Sequence, residues 1–242
     1  MLNALLAATR RARLALWAAK VRLRLRRLGV RAGIDIGSGV RFESLPLLEI
    51  DPHAAGPGGT LAIRIGSGVR LGRALTIDVR LGGDNTLDIG RETQIGSWCR
   101  FQLHGGSLVL GANVHVRDLV QLKTKSELRV GERVVLSRDV IVHATAGVGI
   151  GADCGIGERT SMIDSDHELD GRGGSYMEAP LRAEPIALGS GVAVSANCVI
   201  LRGARMGDGS ALAAGAVLNG GEVPAGMLAG GVPARSLKDL RS

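Results

Sequence analysis

The sequence predicts an all-β fold, a left-handed parallel β-helix of six-residue repeats that follows a basic N-terminal α-helix. Aliphatic residues recur at every sixth position over most of the chain, and glycine or a small polar residue commonly follows them. Glycine is abundant, with 37 residues in 242, whereas Phe, Trp and Tyr together number five. So few aromatic residues exclude a core built round large aromatic side chains and favour a narrow column of stacked aliphatic residues.

Residues 1–33 are predicted to form the basic amphipathic helix. They carry nine of the 30 basic residues and no acidic residue, so the rest of the chain is close to neutral although the net charge is +7. Because the basic charge is confined to this segment, nucleic acid is not an expected partner. The large apolar residues that fall on one side at helical spacing are Leu14, Trp17, Val21, Leu25 and Leu28.

Two partners remain open for this helix. Residues 1–28 could rest on an anionic membrane surface as a peripheral contact, or they could pack on an oligomer of the chain with the arginines in solvent. Arginines interrupt the apolar stretch too often for a signal peptide or a membrane span. The expected location is therefore the cytoplasm, at the inner face of the membrane if the helix binds lipid.

Residues 34–234 are predicted to form the β-helix. Hexads such as Ile-Gly-Ala-Asp-Cys-Gly at 150–155 and Ile-Gly-Glu-Arg-Thr-Ser at 156–161 join in threes, and each triplet makes one triangular coil. The aliphatic residue of each hexad points inward, while Gly, Asn, Asp or Ser tolerates the corner conformation. The triplets begin, mostly 18 to 21 residues apart, at Ile89, Leu110, Val130, Ile150, Leu188 and Met206.

Two segments depart from the repeat. Residues 43–60, with prolines at 46, 52 and 57, are predicted to form an excursion or an imperfect coil. Between Ile89 and Leu218 the repeat is interrupted substantially only once, by the polar segment 168–185, which is therefore the candidate functional loop. Residues 235–242 are predicted to be a C-terminal tail.

The three cysteines are predicted to be structural. Their odd number, without a CxxC pair, argues against a disulfide framework. Each falls at the hexad position that valine occupies elsewhere, so we expect small core residues and neither nucleophiles nor metal ligands. The residues are Cys99, Cys154 and Cys198, and the matching valines are Val114, Val134 and Val192.

His167 is the candidate catalytic residue, because it ends the coil that begins at Ile150 and stands at the root of the loop. An imidazole can accept a proton from a hydroxyl at neutral pH, and a rigid coil can hold it while a loop shapes a substrate pocket. Asp164 and Asp166 could orient the imidazole or contact an acceptor. Taken without further context, His167 could also be a surface histidine in an acidic turn.

The span from about Ile89 to Lys238 resembles the hexapeptide-repeat acetyltransferases, in the branch that acts on galactosides, maltose, nodulation factors and surface polysaccharides. The matching motifs are, in order, Asp-Ser-Asp-His at 164–167, Pro-Ile-Ala-Leu-Gly at 185–189, Ala-Ala-Gly-Ala-Val-Leu at 213–218 and Gly-Val-Pro-Ala-Arg at 231–235. Their combination is specific because order and spacing both agree. In that branch the histidine of the first motif is the catalytic base.

The resemblance implies a homotrimer with active sites between subunits, acetyl-CoA as co-substrate, and a sugar or glycan hydroxyl as acceptor. It implies direct transfer in a ternary complex, with no metal required. Arg235 and Lys238 would meet the CoA phosphates, or else belong to a solvated basic tail. The implied residues along the pantetheine arm are Ser195, Ala196, Ala214 and Asn219.

The chain departs from the family pattern at two places in the donor site. The family commonly has Val-Trp-Ile-Gly where residues 192–195 are Val-Ala-Val-Ser, so an aromatic wall is missing. The usual Thr-Lys-Asp-Ile-Pro appears at 219–224 as Asn-Gly-Gly-Glu-Val-Pro, one residue longer and without the lysine. A donor other than acetyl-CoA therefore stays open.

Three other classes of function are open at this point. An amino-sugar N-acetyltransferase or a serine acetyltransferase would differ only in the acceptor pocket, and a non-catalytic scaffold would lack the histidine and its loop. A zinc enzyme like the γ-class carbonic anhydrases would need three converging histidines, and no His-x4-His pair occurs among the five. The five histidines are His53, His104, His115, His143 and His167.

Overall fold

The structure, a computed structural model, describes residues 2–50, 58–168 and 175–242 as one helix followed by a triangular β-solenoid. Each coil contributes one strand to each of three parallel sheets, which we call sheets A, B and C in the order that the chain visits them. Over the described residues these sheets have nine, ten and eight strands, which makes about eight coils. The predicted fold class, a parallel β-solenoid with an N-terminal helix, is confirmed.

The helix α1 spans Leu2–Arg27. The strands of coils 1 to 4 are β1 (Arg31–Ile36), β2 (Arg41–Phe42), β3 (Leu47–Ile50), β4 (Thr60–Ile65), β5 (Arg70–Leu71), β6 (Thr76–Val79), β7 (Asp84–Ile89), β8 (Gln94–Ile95), β9 (Arg100–Leu103), β10 (Ser107–Leu110), β11 (His115–Val116) and β12 (Gln121–Thr124). Coils 5 and 6 contain β13 (Glu127–Val130), β14 (Val135–Leu136), β15 (Ile141–Ala144), β16 (Val148–Ile150), β17 (Gly155–Ile156) and β18 (Ser161–Ile163).

An antiparallel hairpin then leaves the prism, formed by β19 (Ser165–His167) and β20 (Leu181–Ala183), with a 3-10 turn at Tyr176–Glu178. Coils 7 and 8 contain β21 (Ile186–Leu188), β22 (Ala193–Val194), β23 (Val199–Leu201), β24 (Arg205–Met206), β25 (Ala211–Leu212) and β26 (Val217–Leu218). The solenoid ends with β27 (Glu222–Val223), β28 (Met227–Gly230) and β29 (Arg235–Asp239). The last of these pairs antiparallel with β28, so the predicted tail at 235–242 contains a strand.

The core is a column of stacked aliphatic side chains, as the hexads predict. The six triplet starts lie in parallel register on sheet A, and every one of them is buried. Phe101 is also fully buried, between Ile77 and Leu122 of the neighbouring coils. The interior therefore accommodates one phenylalanine, which the scarcity of aromatic residues did not predict.

Glycine after the inward aliphatic residue lets neighbouring coils approach closely. A Cβ on Gly90 would lie 2.4 Å from the backbone carbon of Gly111, and one on Gly111 would lie 2.8 Å from the backbone of Glu132. No side chain fits at such distances without moving the backbone. The Ile-Gly and Leu-Gly pairs of the repeat therefore reflect coil stacking as well as turn geometry.

The first coil is more regular than the sequence indicated. Leu47–Ile50 pairs in parallel with Thr76–Val79, so the residues before 51 complete the third side of coil 1. Thr60 then begins coil 2 by pairing with Arg31 of coil 1. Residues 51–57, which include His53, lie outside the described residues.

The N-terminal helix packs on coil 1 of its own chain. Leu14, Trp17, Val21 and Leu25 are buried there, as the helical spacing predicts. Leu28 lies beyond the end of the helix and is 38% exposed, so its inclusion in the apolar stripe is wrong. Over the described residues, we find no helix whose length and hydropathy would allow it to cross a membrane.

The helix also satisfies carbonyl groups on the open edge of the solenoid. Strands β1 and β3 lie at the ends of their sheets, where carbonyls would lack strand partners. The Trp17 Nε1 atom donates to the Pro46 carbonyl at 2.8 Å, and Arg24 donates to Leu48 at 3.0 Å. Arg22 likewise donates to the carbonyl of Ile34. The apolar stripe thus caps its own solenoid, a role that neither the membrane nor the oligomer interpretation had named.

The three cysteines are buried core residues, as predicted. Each thiol donates to a backbone carbonyl of the next coil, at 3.1 Å for Cys99 and Cys154 and 3.2 Å for Cys198. Burial raises the pKa of Cys99 to about 12 and also raises the pKa of the other two thiols.

We therefore expect the native protein to resist thiol reagents. A thiol, unlike a thiolate, is a poor nucleophile, and these sulfur atoms are also shielded from solvent. Colour development with an aromatic disulfide reagent should be negligible in the native protein and should report all three cysteines after denaturation. Rapid labelling of a single cysteine in the native state would contradict the core assignment.

Candidate active site

The candidate loop leaves the solenoid at the corner between sheets C and A of coil 6. Strand β18 ends at Ile163, the hairpin β19–β20 projects outward, and the chain rejoins sheet A at Ile186. The single large interruption predicted at 168–185 is therefore present, although it begins a few residues earlier, at Asp164. Residues 169–174 lie outside the described residues.

His167 is held at the end of β19 by two contacts from the returning segment. Its Nδ1 atom lies 2.7 Å from the carbonyl oxygen of Ala179, and its ring centroid lies 4.6 Å from that of Tyr176, with the planes inclined by 55°. A carbonyl can only accept, so Nδ1 must carry the proton and donate it. The Nε2 atom of the neutral ring then keeps its lone pair, which is the state that a general base requires.

Asp164 has a different role from the one predicted. It is completely buried, and its carboxylate accepts hydrogen bonds at 2.7 to 2.9 Å from the backbone N–H groups of Thr145, Ala146 and Gly147. These groups belong to the same corner of coil 5. The carboxylate is thus occupied in joining the hairpin to the preceding coil, and it orients His167 only indirectly, by anchoring β19.

Asp166 faces away from the imidazole into an ion-pair cluster at the base of the hairpin. Its Oδ1 atom lies 2.6 Å from Nε of Arg202, whose Nη1 lies 2.7 Å from Oε1 of Glu184. Arg182 reaches the same Glu184 oxygen at 3.0 Å. Since Arg202 belongs to coil 7, the cluster links the hairpin to the coil that follows it. A direct contact of Asp166 with the acceptor stays a prediction.

Sequence reasoning missed Tyr176, Ala179 and Arg202. A signal existed for the first, because Tyr176 is the only tyrosine of the chain and lies in the candidate loop. Ala179 acts through its backbone carbonyl, which no side-chain pattern reveals. Arg202 meets Asp166 only because coil 7 stacks on coil 6 after the loop has returned.

His143 lies on sheet C beside the candidate site, in register with Lys123 and Ile163. Burial lowers the pKa of His143 below its ordinary value of 6.5, and Lys123 and Lys125 lower it further, whereas Asp164 opposes the shift. The folded protein therefore resists a proton that the unfolded chain accepts.

This depressed pKa predicts a loss of stability in mild acid. The contribution of His143 is present above pH 6.5 and is lost as the pH falls below that value, since protons then favour the unfolded chain. We expect the midpoint temperature of unfolding to decrease as the pH is lowered from about 7.5 to 5. The decrease should be smaller in His143→Gln, because glutamine does not titrate in this range. Equal shifts in both proteins, measured by thermal melts, would show that other groups cause the effect.

The predicted donor-site residues lie at two different corners. Ser195 and Ala196 follow sheet B in coil 7, and Ala214 occupies the same corner one coil later, where Gly215 N donates to Ala196 O at 3.0 Å. Asn219 instead follows sheet C, at the corner that also carries His167. Arg235 and Lys238 are exposed on β29, beside β28 of sheet B. Ser195, Ala196 and Ala214 therefore lie at a different corner of the prism from Asn219.

The metal-binding alternative receives no support from the part of the chain that the structure describes. Within it, no group of three or more His, Cys, Asp or Glu side chains could hold a metal ion. His115 lies on sheet B and His143 on sheet C, so these two imidazoles belong to different faces of the prism.

Comparison with known proteins identifies acetyltransferase homologues. The chain is 27% identical over 133 residues to a probable acetyltransferase of Mycobacterium tuberculosis, covering 54% of this chain and 44% of that protein. It is 31% identical to the hexapeptide-repeat acetyltransferase of Vibrio cholerae complexed with acetyl-CoA, over 48% of this chain and 61% of the other, with a TM-score of 0.45. No protein-family model matches.

A polysialic acid O-acetyltransferase has a similar fold, at 15% identity and a TM-score of 0.51, with 87% of this chain and 89% of that one covered. The chain spans less than half the length of the curated relatives it matches. By sequence, then, its homologues are named acetyltransferases, and by structure it shares the fold of a polysialic acid O-acetyltransferase.

Proposed function

We propose that this chain, a homologue of hexapeptide-repeat acetyltransferases, transfers an acetyl group from acetyl-CoA to a hydroxyl of a sugar or glycan, with His167 as the general base. The observation that carries the proposal is the hydrogen bond from His167 Nδ1 to the Ala179 carbonyl. It selects the tautomer whose Nε2 atom can take a proton, and it holds the ring at the mouth of the loop.

The proposed reaction is a direct transfer. Nε2 of His167 removes the hydroxyl proton as the oxygen attacks the thioester carbonyl carbon, and the carbonyl of Ala179 stabilises the imidazolium through Nδ1–H. When the tetrahedral intermediate collapses, the C–S bond breaks, and the imidazolium returns the proton to the departing sulfur. The products are an acetyl ester and CoA with a free thiol, so His167 ends neutral.

We infer that the functional unit is a homotrimer with sites shared between protomers. His167 projects from the corner between sheets C and A, whereas Ser195, Ala196 and Ala214 occupy the corner between sheets B and C. A closed ring of three prisms would bring one kind of corner on a protomer next to the other kind on its neighbour. This arrangement would complete a site that each protomer holds only in part.

Complementation tests the shared site. Ala214→Trp should block the donor arm and His167→Ala should remove the base, so each variant alone should be inactive. Co-expression of the two variants should restore turnover, because about a quarter of the interfaces would combine an intact base with an intact donor corner. Co-expressed trimers without activity would place both elements in one protomer.

The chemical identity of the acceptor distinguishes the proposed O-acetyltransferase from an N-acetyltransferase, a serine acetyltransferase or a scaffold. Release of free thiol from acetyl-CoA should be tested with sugars, lipid-linked saccharides, amino sugars and serine. An ester product is hydrolysed in mild base, whereas the amide of an amino sugar survives, so product stability distinguishes O-transfer from N-transfer. A β-helical scaffold would release no thiol above background with any acceptor.

A further inference from the structure

A basic groove lies far from the candidate active site, on the outer face of sheet B. It spans coils 1 to 4 beside helix α1 and has a volume of about 390 Å³. The basic and amide side chains that line it are Arg10, Arg41, Arg70, Gln94, His115 and Arg117. The four arginines are exposed, so their guanidinium groups are available to a ligand.

The order of charges along this groove differs from that on the neighbouring sheet. On sheet A of the same coils, Arg64 lies in register between Asp35 and Asp88, and it pairs with Asp88 at 3.0 Å. On sheet B, Arg41 lies directly in register with Arg70. Like charges that face each other across parallel strands destabilise a sheet. An anion bound between these two arginines would remove that repulsion.

The ladder continues with groups that also suit an anion. Gln94 follows Arg70 in register, and His115 follows Gln94. A side-chain amide donates two N–H groups, and an imidazole donates from both nitrogens when protonated. Sheet B therefore presents four successive rungs of donors, spaced by about 4.8 Å, without a carboxylate among them.

The two acidic residues that also line the groove, Glu43 and Asp118, have other partners. Glu43 pairs with Arg73 at 3.0 Å. Asp118 accepts from the backbone N–H of Ser97 at 2.8 Å and lies 3.4 Å from Arg138. Throughout residues 2–50, 58–168 and 175–242, the four groove arginines form no ion pair. With four arginines against two carboxylates in its lining, the groove stays net positive.

From this arrangement we propose that the groove binds a ligand through a diphosphate group. A guanidinium fork makes two parallel hydrogen bonds to a phosphate, so Arg41 and Arg70 on adjacent rungs suit two linked phosphates, with Gln94 and His115 completing the contacts. A nucleoside diphosphate and a lipid-linked diphosphate share this chemistry. The inference does not depend on the proposed acetyl transfer.

Calorimetric titration with inorganic pyrophosphate tests the site. We expect wild-type binding with a rise in the unfolding midpoint, and a loss of about tenfold or more in affinity for Arg41→Gln/Arg70→Gln. Arg64→Gln is the matched control, because it removes an arginine from the same coil as Arg70 on a different sheet. It should change the affinity by less than about twofold.

A second variant distinguishes loss of the binding site from misfolding of the protein. Arg41→Glu creates an opposite-charge pair with Arg70, so the free protein should melt at the same or a higher temperature while pyrophosphate binding is lost.

Two further binding experiments identify which molecule carries the diphosphate. Uridine diphosphate binding in solution would identify a nucleotide ligand, and co-sedimentation with phosphatidylcholine vesicles containing a prenyl diphosphate would identify a lipid. Either result should depend on Arg41 and Arg70. Two outcomes would overturn the proposal: no pyrophosphate binding at millimolar concentration, or a loss of affinity in Arg64→Gln equal to that in Arg41→Gln/Arg70→Gln.

Discussion

His167→Ala is expected to lower kcat for acetyl transfer by about 10²- to 10⁴-fold, the range that a positioned general base contributes. The imidazole is half-buried at the end of a short strand, and it contacts Ala179 and Tyr176 of the returning segment. Its removal should therefore leave the solenoid core intact. Free-thiol release measures kcat, and thermal melting with gel filtration checks the fold and assembly.

His167→Asn separates proton transfer from loop geometry. The asparagine amide can still donate to the Ala179 carbonyl, but it has no basic nitrogen. If His167 is the base, His167→Asn should be as inactive as His167→Ala. Substantial turnover in either variant would reject His167 as the base. A large decrease in the melting temperature of both variants would instead assign the residue a structural role.

Asp164→Ala is expected to have the largest effect on stability. The substitution removes an acceptor that three backbone N–H groups of coil 5 share, at distances of 2.7 to 2.9 Å. Hydrogen bonds to a charged group contribute strongly, so we expect a loss of about 3 kcal/mol at the corner that supports the hairpin. The measurement is the denaturant midpoint of unfolding, and kcat should fall in parallel because β19 carries His167.

Asp166→Ala is the matched control for this prediction. Asp166 is only two residues away, on strand β19, but its side chain is 58% exposed, and its ion pair with Arg202 is at the surface. Such pairs contribute less than about 1 kcal/mol, so the midpoint should hardly move. If the Asp164 and Asp166 variants unfolded at the same denaturant concentration, the anchor assigned to Asp164 would be wrong.

The solenoid could be predicted residue by residue because each coil contacts only its neighbours. The inward position of Ile89 recurs at Leu110, Val130 and Ile150, and the structure stacks these residues in register. A six-residue period therefore carries the tertiary contacts directly, which a mixed fold with distant pairings would not allow. The same logic correctly assigned the cysteines to the core.

The candidate site could be predicted only in part. His167 is a candidate because it stands where the repeat breaks and because Asp-Ser-Asp-His at 164–167 resembles the acetyltransferase motif, and both are features of the sequence. Its partners were not found, since the Ala179 carbonyl belongs to the backbone and Tyr176 reaches the ring only after the loop folds back. The position of Asp164 three residues before His167 indicated an orienting role. In the structure, its carboxylate instead accepts hydrogen bonds from backbone N–H groups at the corner of coil 5.

The amino-acid sequence alone determined the repeat, the inward column and the place where the column is interrupted, because these depend on local periodicity and nearest-neighbour stacking. Tertiary structure decided what the exceptions do. It turned the helix stripe at Trp17 and Leu25 towards coil 1, where unpaired edge carbonyls needed donors. It also brought Arg41 opposite Arg70, and it set the tautomer of His167 through a carbonyl 12 residues away. The contacts of the helix and of His167 arise where the chain leaves its period, and a repeat cannot encode them.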